Sequence, residues 1–217
     1  MNLKILKKSI FIVLSLALVL QVYFWAEPTG AVLTAADQVK VTLVVDAGLT
    51  ITDGLDVIMD PHLGISSDTA IGSSSWTVKS NSVDGYTLAV KASSSPALVH
   101  INRPAEHFDD YSEATSGVPD LWSVDANKIE FGYSVFGTDV NGTTWGTGNT
   151  CGSAPTIPVV DRKYIGLETT DRTIATRSTV TPNSGIVTNI CFAAEQKGVY
   201  APSGTYEATI TATATTI

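Results

Sequence analysis

Charge is thin in this 217-residue chain: only 16 % of its residues are Asp, Glu, Lys or Arg, and the 13 basic residues are outnumbered by 21 acidic ones for a formal net charge of −8. Such a surface repels nucleic acid and anionic lipid, so neither is expected as a partner. Too little charge is present for a disordered acidic tail, and the abundance of Ser, Thr and Gly suits a solvated β surface instead. Histidine is scarcer still, with His62, His100 and His107 the full set. Catalysis needs a base, a nucleophile and an orienting group brought together, and no GxSxG, HExxH, P-loop or GxGxxG pattern occurs. The chain therefore reads as no enzyme and as needing no cofactor. A secreted hydrolase using His107 with Asp109 or Asp110 is the weaker reading, since His107-Phe108-Asp109-Asp110 is better explained as a solvated acidic loop.

Cysteine is limited to Cys151 and Cys191, whose spacing suits neither zinc nor a CxxC redox motif. Both follow an N-terminal segment built like an export signal. Lys4, Lys7 and Lys8 precede an apolar run from Ser9 to Trp25, and small residues then offer cleavage after Ala31 or Ala36. An uncleaved anchor helix is the alternative, at the short edge of what spans a bilayer. Residues 1–31 are thus expected as a signal peptide and 32–217 as one domain, exported through the general secretory pathway to the cell surface or beyond, with membrane contact only through the leader. In that oxidising compartment Cys151 and Cys191 are expected to pair.

Helical periodicity is nearly absent after the leader, with Glu106–Ala114 offering one or two turns at most. The dominant rhythm is alternation with period two, the mark of strands with one face on a core. Tyr206, Ala208, Ile210, Ala212 and Ala214 alternate with Glu207, Thr209, Thr211, Thr213 and Thr215. Val39, Val41, Leu43 and Val45 alternate with Gln38, Lys40, Thr42 and Val44, predicting a second long strand. Trp76 and Val78, an Asp84-Gly85 turn, then Tyr86, Leu88 and Val90 predict a hairpin over Ser75–Ala92. Ile129, Phe131, Tyr133 and Val135 share one face, as do Ile186, Thr188, Ile190 and Phe192, which turns Cys191 toward the opposite side. Leu49–Thr52, Leu55–Met59 and Ala97–Ile101 add short candidates. The expected fold is all-β, an antiparallel β-sandwich of immunoglobulin-like or jelly-roll-like kind, with two long loop insertions at Asn102–Asn127 and Gly137–Thr176.

Few motifs in those loops suggest a ligand. Asp139-Val140-Asn141-Gly142 resembles the opening of a calcium loop but lacks the closing bidentate Glu, so Asp139 and Asn141 are weak calcium candidates beside a plain Asn-Gly turn. Asn141-Gly142-Thr143 is also a glycosylation sequon in form. Trp122 and Trp145 lie in the two insertions, where an indole either stacks on a glycan or protein partner or plugs the end of the core.

Leu49-Thr50-Ile51-Thr52, Trp76-Thr77-Val78, Asp84-Gly85-Tyr86-Thr87-Leu88 and Ser203–Thr211 together resemble recurring elements of bacterial secreted β-sandwich surface proteins, the WxL-type wall-associated group and, more distantly, fibre subunits of the TasA and camelysin kind. Where WxL proteins carry their tryptophan motif this chain has Ala212-Thr213-Ala214. The resemblance implies a surface or filament protein without cofactor chemistry. The alternating segment Val39, Val41, Leu43, Val45 is then either a strand of its own domain or a donor strand added to the sheet edge of another subunit. The first gives a monomeric adhesin that recognises a glycan or protein through its loops; the second gives a self-assembling homopolymer.

Overall fold

The structure, a computed structural model, describes residues 37–217 apart from 53, 153–155 and 158–160. The expected leader and its cleavage sites lie outside the described residues. The chain divides into two units, Met1–Val44 and Val45–Ile217. In the first, residues 37–44 carry no strand or helix. The second is all-β, its strands following from the alternation described above. They are β1 (Leu49–Thr52), β2 (Thr69–Ser80), β3 (Tyr86–Ala92), β4 (Leu98–His100), β5 (His107–Asp110), β6 (Asp120–Leu121) and β7 (Lys128–Gly137). After a single helical turn α1 (Gly142–Trp145) come β8 (Lys163–Tyr164), β9 (Arg172–Arg177), β10 (Ile186–Lys197), β11 (Tyr206–Glu207) and β12 (Ile210–Thr216).

A seven-stranded sheet runs β1-β2-β10-β7-β5-β4-β11, a three-stranded sheet runs β12-β3-β9, and β6 pairs with β8. Pairing is antiparallel except between β5 and β7. Trp76 and Val78 of β2, Phe131 and Tyr133 of β7 and Ile190 of β10 share one apolar cluster with Tyr86, Leu88 and Val90 of β3 and Ile174 of β9. The two larger sheets thus fill a common core, and burial of those large side chains is its main driving force.

Four expectations are corrected here, the first being the short strand over Leu55–Met59, which is not formed. Ser75–Ala92 is not a hairpin, because β2 pairs with β1 and β10 whereas β3 pairs with β12 and β9. The turn between them carries the chain from one sheet to the other, so Trp76 and Leu88 meet within the core rather than across a ladder. Gly85 makes the crossing possible: its φ is 84°, and a Cβ there would collide with the Arg177 carbonyl. Within Glu106–Ala114 the residues His107–Asp110 form β5, and no helical turn is present. Finally, the strand expected over Gln38–Val45 is not formed, since the ladder of β1 with β2 begins at the Leu49–Ser80 pair, where β2 ends.

The interior strand β10 is buried on both faces. Ile190 and Phe192 enter the main cluster, whereas Cys191 and Ala193 enter a second with Ile71, Tyr111, Trp122, Val124 and Tyr164. Cys191 is bonded there to Cys151, with 5.3 Å between Cα atoms and a sequence separation of 40. Closing a loop of that length is worth roughly 4 kcal/mol in the chain-entropy model. The 111 and 165 segments lie directly on β7 because position 132 is glycine. A Cβ there would come within 2.7 Å of Tyr111 Cβ and 2.8 Å of the Ile165 carbonyl.

Candidate functional site

Short surface motifs in the insertions turn out to serve the fold. Asn141 caps α1, its side-chain oxygen accepting from the Thr143 amide at 2.9 Å. The Asp139 side chain is 7 % exposed and engaged at both oxygens, accepting from the Tyr86 hydroxyl at 2.9 Å and pairing with Arg177 Nη1 at 3.2 Å. Burial first, and then that carboxylate, push the Tyr86 phenol up. Of the two weak calcium candidates, Asp139 thus pairs with a cation and a phenol, and Asn141 caps a helix end. Among the described residues no group of three or more His, Cys, Asp or Glu side chains is arranged to hold a metal.

Trp122 and Trp145 are 5 % and 3 % exposed, so neither presents an indole face to a partner. Trp122 stacks on Tyr111 with ring centres 4.5 Å apart, meets Tyr164 edge-on, and donates from Nε1 to Glu195 at 2.6 Å. Burial holds the Tyr164 phenol up at about 12. Trp145 packs on Tyr133 in the main core. Arg162, also buried, donates to the carbonyls of Thr150 and Val135 and lies 4.5 Å over the Phe136 ring.

The histidines are separated. His62 is exposed, and buried His100 accepts the Asn102 amide at Nδ1. His107 Nε2 lies 3.3 Å from Asp109, which Lys128 also approaches at 3.3 Å. Asp110 is engaged elsewhere, by Ser95 Oγ at 2.7 Å and the Ala97 amide at 3.0 Å.

Among the described residues the surface offers backbone edge and grooves, the more polar-lined of them beside β9. This groove, of about 500 Å³, is lined on one side by residues 173–179 and on the other by 138–145, mostly with hydroxyl, amide and charged groups. The more unusual surface is apolar. Val39, Val41, Leu43 and Val45 are 85 %, 87 %, 84 % and 74 % exposed. Immediately beyond them the chain is clamped by Asn81, a residue that the sequence does not single out. Its side chain accepts from the Gly48 amide at 2.7 Å and donates to the Asp46 carbonyl at 2.7 Å. No pattern in the sequence marks such a clamp, because the partner segments lie 33 and 35 residues away. No family model and no curated protein matches the chain.

Proposed function

We propose that this chain is a structural subunit of an extracellular filament, pilus-like fibre or surface coat, joined to its neighbours by β-strand addition. The observation that carries the reading is the exposure of four alternating apolar side chains, Val39, Val41, Leu43 and Val45, on a segment without a strand of its own. A contiguous apolar stripe of this kind is costly in water and becomes favourable when an open sheet edge accepts its backbone and a core accepts its alternate side chains. The shared core of the two larger sheets supports stacking as an antiparallel sandwich, a layer architecture with edges open to addition. The Cys151–Cys191 bond suits an oxidising compartment, and residues 1–31 supply the export signal that would bring the chain there. Deleting residues 37–45 from the exported protein should leave folded monomers in place of assemblies, as read by electron microscopy and sedimentation. Assemblies that persist unchanged would refute strand addition through this segment.

A second reading, a surface binding module, is favoured by the polar groove beside β9 rather than by the two buried tryptophans. Its ligand would be rich in hydroxyl groups, matching Thr138, Asn141, Thr144 and Thr176. Replacing Thr144 and Thr176 by Val should then abolish glycan-array binding without altering the thermal midpoint.

A further inference from the structure

Resting on the assembly reading above, the geometry points to one acceptor for the donor segment: the free edge of β12, Ile210–Thr216, of a second copy of this chain, paired with that copy's neighbour through residues 38–45.

The three-stranded sheet ends in two edges, and they differ in every property that governs strand addition. At β9 the core-facing residues Ile174 and Ala175 are 2 % and 3 % exposed. That strand carries Arg172 and Arg177, has a register shift against β3, and already donates its Thr176 amide to the Asp139 carbonyl at 3.1 Å. Charges, irregular pairing and a covering loop are the means by which sheet edges are kept from recruiting another strand. At β12 none of them is present. Ile-Thr-Ala-Thr-Ala-Thr-Thr contains no charge, proline or glycine, and pairs in unbroken register with β3 alone among the described residues.

The core is also less complete on the β12 side. Ile210, Ala212 and Ala214 point toward the main cluster but are only half-buried, as are Leu49 and Ile51 of β1, which comes alongside β12 without a ladder between them. Their neighbours on β3, Leu88 and Val90, are 0 % and 1 % exposed. Alanine at 212 and 214 covers little of the apolar face it shares with the half-buried positions, and Val39, Val41, Leu43 and Val45 are branched apolar side chains that would extend that cover. Their spacing of two residues matches the pleat, and the eight-residue segment is close in length to the seven-residue β12. Within one chain the segment is not delivered to a ladder of its own, because β2 ends opposite Leu49 and Asn81 fixes Asp46 and Gly48 just before it.

Cysteine cross-linking between differently marked full-length chains tests this directly. One chain carries Thr42→Cys, on the face opposite Val41 and Leu43; the other carries Thr211→Cys, Thr213→Cys or Thr215→Cys on the outer face of β12. Under mild oxidation, mixed dimers should form with at least one of these and not with Thr176→Cys on β9. Mixed dimers at β9 instead would overturn the assignment, as would a bridge within a single chain carrying both cysteines that is independent of concentration. If no β12 position cross-links although deletion of 37–45 still abolishes assembly, the acceptor is wrong and the assembly reading stands. If that deletion leaves assembly intact, the assembly reading itself fails. Thr213→Lys supplies a check without cysteine: a charge on the free edge should abolish assembly with no shift in thermal midpoint, and unchanged assembly would count against β12.

Discussion

Residues 38–45 and 210–216 carry the same two-residue alternation, yet the second is a strand packed on the core and the first is exposed without one. Composition does not explain the difference, since Val and Leu favour strands more than the Ala of β12 does. Position does. β12 lies along seven consecutive partners of β3, whereas the ladder that would continue from β1 stops where β2 stops, at Ser80. Alternation therefore states what a segment can pair with, and the length of the neighbouring strand decides whether it pairs within the chain. A strand former left beyond the end of its ladder is a natural donor, and a smooth uncharged edge is its natural acceptor.

The comparison breaks most visibly at the two ends of the stability scale. Leu88→Ala, at the centre of β3 with no exposure, should cost about 2–5 kcal/mol in denaturant unfolding. Val41→Ala, in the segment, should change stability by less than about 0.5 kcal/mol while weakening assembly. If Val41→Ala cost as much as Leu88→Ala, the segment would be buried in its own chain and the contrast between the two regions would vanish.

Smaller effects sharpen it. Arg177→Ala leaves the largely buried Asp139 carboxylate with only the Tyr86 hydroxyl as side-chain partner, and should cost about 1–3 kcal/mol by the penalty for a buried polar group that loses its partner. That loss belongs to the β9 side and should leave assembly through β12 unaffected, as read by sedimentation at a temperature where the variant is folded. Asn81→Ala removes two exposed hydrogen bonds at the junction of segment and β1. It should cost no more than about 1 kcal/mol and speed amide exchange at Gly48, whose N–H loses its acceptor. Unchanged exchange there would show that the junction is held by β1 itself.

How much of this was legible in the sequence follows from where the partners lie. The faces of β7 and β10 and the direction of Cys191 are local, so alternation alone read them correctly. The supposed hairpin over Ser75–Ala92 failed because a turn sequence states that the chain bends, not whether the next strand joins the same sheet. The contacts of Asp139 and Asn141 with Tyr86, Arg177 and the start of α1 were invisible in the sequence, because those of Asp139 come from distant segments and the helical turn that Asn141 caps has no periodic signal. Trp122 and Trp145 were ambiguous for a similar reason: their burial depends on Tyr111, Tyr164 and Tyr133, brought in from other segments. The edge at β12 was readable as composition, but its half-open core was not, since that depends on β1 arriving from the opposite end of the unit.

The smallest expected effect depends on pH and lies on the seven-stranded sheet, far in sequence from either region compared above. Glu130 of β7 is 3 % exposed, and burial raises its carboxyl above the ordinary range, opposed by a hydrogen bond from the Ser112 amide and by nearby Lys128. A carboxyl that binds its proton more tightly in the folded than in the unfolded chain stabilises the fold fully below the unfolded value, and that contribution is lost as pH rises through the folded one. Stability should accordingly decline as pH is raised from the ordinary carboxylate range toward neutrality. Asp110, raised chiefly by burial, adds to the same trend. Glu130→Gln keeps an oxygen for the Ser112 amide and removes the charge, so it should raise the thermal midpoint at pH 7 and lose that advantage near pH 4, the usual carboxylate value. A variant less stable than the parent at pH 7, or equally shifted at both pH values, would mean that the Glu130 carboxylate is held by Lys128 strongly enough to offset its burial.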